Sequence, residues 1–498
     1  MPPQLTRRMR VKLDRADIAV VLTLAVAAVV RVATLDQESF WYDEALTLEH
    51  VHGSFGDVME HVNDTEATPP LYFLLAWVWS QVFGIGEVAL RSLSTVIGIV
   101  TVALVIAATQ RLTDRRTAQF AGALAALNPF LIYYAQEARS YALLALLTFS
   151  SVAAAAIAVR ERRQGWVAAW AVTAGLALLT HYFAVFIVVP SAVWLLVAYP
   201  RRRTAASAVG LVGVIGVALL PRLIDQRSSG RTDWVTASPL RTRLLHLPEE
   251  VLAGPEAWSP IPLTALALAG LTTAIAAGSC SPAGHRDVAI VIGLLAAAEI
   301  AMALVLALGG LDAILPRNFI PAVPVLIVGA ATAVAPALDS RSGTVRIAAL
   351  GGSAVVVLVG LTGDIAPIVD RDVRRRPDWR ATAHALSAGG RPDFLVLVPP
   401  PNARPLAVYL PLNRMPMQRV RGRKIAVVRL LLDVAGRSTP TGRGTRLGGF
   451  SMSRTRPSRQ IEVLVYRAAR ETPVSPNELR RIAEPGRVRL ASVPPAPA

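Results

Sequence analysis

The residues able to do chemistry crowd into one stretch near the start of the chain. Between Asp36 and Pro70 lie nine carboxylates (Asp36, Glu38, Asp43, Glu44, Glu49, Asp57, Glu60, Asp64 and Glu66) and three histidines, and no Lys or Arg occurs from Asp36 to Leu90. A solvated loop ordinarily mixes charge signs. The sharpest element is Phe40-Trp41-Tyr42-Asp43-Glu44, an adjacent carboxylate pair behind three aromatics, just past an apolar run from Ala16 to Leu35. Aromatics in such a place anchor to the membrane interface. Partial desolvation there raises a carboxylate toward the range of a useful general base, which makes Asp43 and Glu44 catalytic candidates and Tyr42 a substrate contact. The alternative is an aromatic belt with incidental acids.

Other candidates sit at short turns between apolar runs. Tyr133-Tyr134-Ala135-Gln136-Glu137-Ala138-Arg139-Ser140-Tyr141 brings a carboxylate, a guanidinium and a phenol together. Glu137 and Arg139 form either a plain interfacial ion pair or, facing the acidic loop, the far wall of one cavity. His181 stands in the turn Thr180-His181-Tyr182-Phe183, as a hydrogen-bonding residue or a ligand. Arg317, in Pro316-Arg317-Asn318, and Arg91 are guanidinium groups placed to meet a lipid phosphate, which Arg binds bidentately while staying charged. His50, His52 and His61 among acids suit a divalent ion, but no fixed ligand spacing appears and no metal is assigned. Glu299 lies inside an apolar run, where a carboxylate is a functional candidate by default.

The elements that must position these groups are membrane spans. The 498 residues are 53% hydrophobic and 17% charged, with mean hydropathy +0.47, against roughly 25% charged in an ordinary soluble domain. That balance excludes disorder. Apolar runs near the ~18 residues needed to cross a bilayer recur, over about 17–36, 88–110, 118–134, 141–159, 166–180, 182–199, 207–224, 260–278, 286–309, 318–338 and 346–366. The stretch 71–84 is too short for an ordinary crossing and reads as a juxtamembrane helix. With it outside, Arg7, Arg8, Arg10, Lys12 and Arg15, then Arg111, Arg115 and Arg116, then Arg160, Arg162 and Arg163, then Arg201, Arg202 and Arg203 all fall on one side, which the positive-inside rule makes cytoplasmic. Eleven crossings follow, with the acidic loop 36–70 and the tail outside the cytoplasm.

The net charge of +17 sits in that tail: residues 1–366 hold 26 basic and 25 acidic residues, and 367–498 hold 25 and 9. A basic domain tethered to a membrane meets anionic headgroups or phosphorylated substrates, and nucleic acid is not expected. The tail alternates apolar strands (Phe394–Val398, Ile425–Leu432, Ile461–Tyr466) with helical patterns (Asp378–Ser387, Asn477–Ala483), predicting a small α/β domain over 367–498 with a mobile loop at 437–459 and a frayed end at Pro494–Ala498. Cys280 is the only cysteine, so no internal disulfide forms.

Taken in order, the Asp43-Glu44 pair in a long outer loop, Pro69-Pro70-Leu71-Tyr72, the Glu-x-Arg-x-Tyr turn at 137–141, Arg317-Asn318-Phe319-Ile320-Pro321 and Pro377-Asp378-Trp379-Arg380 resemble a membrane glycosyltransferase of the GT-C class. Within that class the chain is similar to bacterial relatives of the dolichyl-phosphate-mannose protein mannosyltransferases and of the lipid A aminoarabinose transferases, over about residues 17–380. The resemblance implies inverting transfer of a sugar, mannose by family weight, from a polyprenyl-phosphate donor to a lipid, glycan or protein acceptor at the outer face of the cytoplasmic membrane, in cell-envelope glycosylation. It also implies a catalytic role for Asp43 with Glu44 beside it, a second acid at Glu137, and Arg317 near the lipid phosphate; it assigns the tail no role. A polyprenyl phosphate is already a workable leaving group, so no nucleotide or redox cofactor is expected. A transporter or lipid flippase, the competing reading, would put charges at mid-depth and breaks in matching halves, whereas the acids here gather outside the spans. A non-catalytic scaffold would leave the acidic loop unexplained.

Overall fold

The computed structural model describes residues 15–228, 235, 239–255, 260–277, 283–310, 314–369, 376–388, 390–398, 403–431, 447–458, 460–483 and 489–494. The N-terminal Arg7, Arg8, Arg10 and Lys12, Cys280, residues 437–446 of the predicted loop, and 495–498 lie outside them.

Helix α1 (Arg15–Val32) leads into an irregular turn and two short helices, α2 (Tyr42–Val51) and α3 (Phe55–Thr65), followed by α4 (Leu71–Phe83). The acidic loop is therefore folded. Asp43 and Glu44 occupy the first turn of α2, where carboxylates complement the helix dipole. Ser54 and Asp57 form a reciprocal capping box on α3, and Gly53 enters it at φ +109°, a conformation that favours glycine. The 13 residues of α4 reach about 20 Å at 1.5 Å per residue, short of the ~30 Å hydrocarbon core.

The helical body continues through α5 (Glu87–Leu112), α6 (Arg115–Ala126), α7 (Pro129–Ala135), α8 (Tyr141–Glu161), α9 (Gln164–Thr180), α10 (Val185–Ala198), α11 (Arg202–Ser228), α12 (Leu240–Ala253), α13 (Pro260–Ala277), α14 (Ala283–Leu308), α15 (Ala322–Val334) and α16 (Gly343–Val369). Helix occupies every run expected to span. Among the described residues, six helices are long and apolar enough to cross a membrane: 87–112, 141–161, 202–226, 287–308, 322–339 and 343–362. One expected span is interrupted. The run 118–134 breaks between α6 and α7, because Pro129 has no N–H to continue the ladder and Asn128 instead caps α7 by accepting from Leu131 N. The carbonyls freed at the end of α6 are taken by Arg31 of α1, whose guanidinium donates to Ala125 O and Ala126 O at 3.1 and 2.8 Å. At Gly98 a Cβ would lie 2.6 Å from Ala135 Cβ, so α5 and α7 approach closely only because that residue is glycine. This packing aims the 136–141 turn at α2.

After α16 the chain forms α17 (Trp379–Ser387), β1 (Phe394–Val398), α18 (Ala403–Tyr409), β2 (Asn413–Met415), β3 (Val420–Leu430), β4 (Ser451–Ser458), β5 (Ile461–Val474), α19 (Pro476–Ala483) and β6 (Arg489–Ser492). The six strands make one sheet in the order β2-β6-β1-β3-β5-β4, with β1 parallel to β3 and the remaining neighbours antiparallel. Both faces carry a core, one with α17 and α18 and the other with α19, which explains the unbroken apolar run of β1. The expected mobile loop is partly a strand: Ser451–Ser458 pairs with β5. Its polar, exposed composition hid it, because an edge strand gains order from its partner's backbone rather than from its own side chains.

Candidate functional site

Four carboxylates and five arginines assemble where the start of α2, the 136–141 turn, the turn after α14 and the segment after α16 meet. Glu44 is fully buried, with both oxygens taken. Arg91 Nε donates to its Oε1 at 2.8 Å and Nη2 to its Oε2 at 2.6 Å, Ala138 N donates to Oε1 at 3.0 Å, and Arg376 Nη1 lies 3.3 Å from Oε2. Burial alone would raise this carboxyl; Arg91 and Arg376 outweigh it and hold it below its ordinary range. Arg91 also donates to Leu35 O, Glu38 O and Ser39 O, so all five of its N–H donors are spent on the loop that carries Asp43. Expected as a substrate contact, Arg91 instead turns inward to satisfy the carbonyls of a buried turn.

Glu137 and Arg139 do not pair with each other, as a plain surface pair would. Arg139 grips Glu66 bidentately at 2.7 and 3.2 Å and reaches Asp43 O and Thr47 Oγ1 at 3.4 Å each. Glu66 is thereby held below its ordinary range despite burial. Glu137 is also buried but accepts no hydrogen bond on either oxygen; its nearest charge is Arg376 Nη2, at 3.5 Å. Burial pushes it up to about 7, against the pull of Arg376.

Asp43 is different. Its Oδ2 lies 3.6 Å from Arg317 Nη1, and one fifth of each side chain is exposed. Arg317 comes from a 3-10 turn (Pro316–Phe319), and its guanidinium lies 5.9 Å from the Tyr141 ring. Tyr141 in turn faces His181 at 6.0 Å. His181 accepts from Phe183 N at 3.2 Å, and burial with Arg139 and Arg317 nearby drives it down to about 3, so it is neutral at pH 7.

The three aromatics expected at the membrane interface are spent on cations instead. Phe40 lies under Arg91 at 5.5 Å, Trp41 against Arg376 at 5.1 Å and Tyr42 against Arg404 at 5.2 Å. Tyr42, a candidate substrate contact, accepts from Arg404 Nη1 at 2.9 Å and so faces the C-terminal domain. Of the histidines, His50 is buried against Phe73 and bonded to Thr65 Oγ1 at 2.7 Å. Among the described residues no group of three His, Cys, Asp or Glu side chains is arranged to hold a metal ion. Glu299 is buried in α14, apart from this cluster, with neither oxygen hydrogen-bonded.

Sequence reasoning missed Arg376 and Arg404. Arg376 follows the last span in a run containing Arg371, Arg374 and Arg375, where nothing in the local pattern separates one arginine from the next. A polar pocket opens beside it, lined also by Thr34, Glu38, Arg91, Tyr133 and Gln136.

Residues 67–224 match the family described as dolichyl-phosphate-mannose-protein mannosyltransferase. No curated protein matched the chain. Among solved structures, ArnT from Cupriavidus metallidurans bound to undecaprenyl phosphate is 16% identical, with 90% of this chain and 97% of that chain covered at TM-score 0.50. Apo ArnT from the same organism is 16% identical, with 91% and 98% covered at TM-score 0.52. With that fold and that family match, the chain is a GT-C class glycosyltransferase, related to the protein mannosyltransferases and to ArnT.

Proposed function

We propose that this glycosyltransferase moves a sugar, mannose as the first choice, from a polyprenyl-phosphate donor to an acceptor hydroxyl at the outer face of the cytoplasmic membrane. The observation that carries the reading is the Asp43–Arg317 pair: a base and a phosphate-binding cation side by side at 3.6 Å, both partly open. The undecaprenyl phosphate bound by ArnT and the mannosyl donor in the matched family's description support the donor class. The absence of Lys and Arg from 36–90, with arginines on alternate loops, supports the outer face.

In this reading Asp43 accepts the proton of the acceptor hydroxyl as its oxygen attacks the anomeric carbon. The bond from that carbon to the phosphate oxygen breaks, the configuration inverts, and the polyprenyl phosphate leaves with its charge held by Arg317. Tyr141 and His181 line the same recess, the neutral imidazole offering a hydrogen bond without added charge. Arg139 holds the main chain of Asp43, and Glu44 with Arg91 holds the turn before it.

The test is to give sealed membrane vesicles of each orientation labelled polyprenyl-phosphate mannose and identify the labelled product. Transfer in right-side-out vesicles, lost in Asp43→Asn, is expected. Transfer only in inside-out vesicles would overturn the sidedness, and no transfer from any polyprenyl-phosphate sugar would overturn the donor class.

A further inference from the structure

Arg376 stands at the junction of the helical body and the C-terminal domain, and the sugar-transfer reading gives it no part. It is 6% exposed and lies between carboxylates from two different elements, Glu44 on α2 and Glu137 after α7, at 3.3 and 3.5 Å. The rings of Trp41 and Tyr133 flank it at 5.1 and 4.8 Å, its Nε donates to Tyr133 Oη at 3.2 Å, and its backbone N–H donates to Glu38 Oε2 at 3.3 Å. Few rotamers fit such a frame.

The residues that follow grip the same loop. Ser39 Oγ donates to Pro377 O at 3.0 Å and accepts from Trp379 N at 2.9 Å. Tyr409 Oη accepts from Phe40 N at 2.7 Å and donates to Glu87. Arg404 reaches Glu49 at 3.0 Å and Tyr42 at 2.9 Å.

We propose that Arg376 is a positioning residue through which the C-terminal domain completes the site: it holds the Glu137 carboxylate beside Asp43 and Arg317 while the domain's grip fixes the loop that carries Asp43. This rests on the reading of Asp43 and Arg317 as the reacting pair. Glu137 accepts no hydrogen bond, so Arg376 is the one group within 4 Å, among the described residues, that orients it by charge. An ionised Glu137 gives Arg317 a second negative charge to align against; a protonated Glu137 gives it none. The groups facing Glu137 are Arg376, Glu44, Asp43 and Arg317, with the phenols of Tyr72, Tyr134 and Tyr141 around them. Among these, Arg376 opposes the effect of burial most strongly.

The experiment titrates full-length protein in nanodiscs by infrared difference spectroscopy, reading the carboxyl band that disappears in Glu137→Gln. In the native protein its midpoint lies near pH 7. Arg376→Gln removes an opposite charge at contact range and moves that midpoint up by about 1–3 units, and Arg376→Lys brings it most of the way back. A midpoint unmoved in Arg376→Gln overturns the inference. Should Arg376→Gln not insert, Arg376→Lys decides by kinetics with polyprenyl-phosphate mannose: kcat lower by about tenfold at unchanged KM supports positioning, and native kcat overturns it. The titration needs no donor, so its failure is separable from failure of the sugar-transfer reading.

Discussion

Two sides of one charge cluster follow different rules. On the inner side, Glu44 and Glu66 are each clamped by a bidentate arginine and almost wholly removed from solvent, whereas on the outer side Asp43 meets Arg317 at 3.6 Å with a fifth of each side chain open. Residues 43 and 44 are neighbours in sequence, yet one helical step of about 100° sends the second into the protein and leaves the first at the rim. Two adjacent carboxylates can therefore do different work. A buried carboxylate that accepts three strong bonds has no lone pair to offer a substrate; a rim carboxylate with one loose partner does.

The sharpest way to break this comparison is to remove proton acceptance at the rim. Asp43→Asn preserves size and one acceptor, so transfer should fall by about 10²–10⁴-fold, the usual worth of a general base, with thermal stability unchanged. Near-native turnover in a well-inserted protein would take Asp43 out of the reaction.

Next in size is the inner side, where the readout is stability. Arg91→Ala leaves Glu44 buried opposite Arg376 alone and orphans three carbonyls, so unfolding should become easier by about 3–5 kcal/mol, seen as a lower melting temperature and poor recovery from membranes. Glu44→Gln, which keeps shape but strips the charge facing Arg91 and Arg376, should move in the same direction by less. Stable variants with selectively lost transfer would put the inner side in the chemistry.

Arg317→Ala sharpens the outer side. Losing a charge-assisted contact costs about 1.5–3 kcal/mol, so the KM for labelled polyprenyl-phosphate mannose should rise by one to two decades while acceptor preference stays put. An unchanged donor dependence would separate Arg317 from the phosphate.

The same contrast marks what sequence could and could not reveal. Spans are legible because hydropathy is a sum over many residues, and β1 was placed at Phe394–Val398 because a strand buried on both faces reads as an unbroken apolar run. The break at Asn128 was lost because the apolar run continues across it, although Pro129 was the available signal. β4 was lost to its polar composition. In the site, Asp43, Glu137, Arg139 and Arg317 announced themselves by charge at the ends of apolar runs. Which carboxylate would be clamped and which left open depended on the partner each met 47, 73 or 239 positions away in sequence, and no local pattern encodes that.

The smallest expected effect tests whether the outer side depends on the C-terminal domain. Tyr409 is the hydroxyl that accepts from Phe40 N, three residues before Asp43, and donates to Glu87 at the start of α5. In Tyr409→Phe the ring packing stays and only the hydroxyl goes, so the Phe40 N–H loses its partner and stability should drop by about 1–2 kcal/mol, the cost of an unpaired buried donor. If the domain merely sits on the loop, the variant melts slightly earlier and turns over normally. If the domain holds Asp43 in register, kcat falls severalfold while the KM for the donor, which depends on Arg317 from another element, does not move. That split between kcat and KM distinguishes a loosened base from a loosened phosphate site, because only the loop carrying Asp43 has lost a contact.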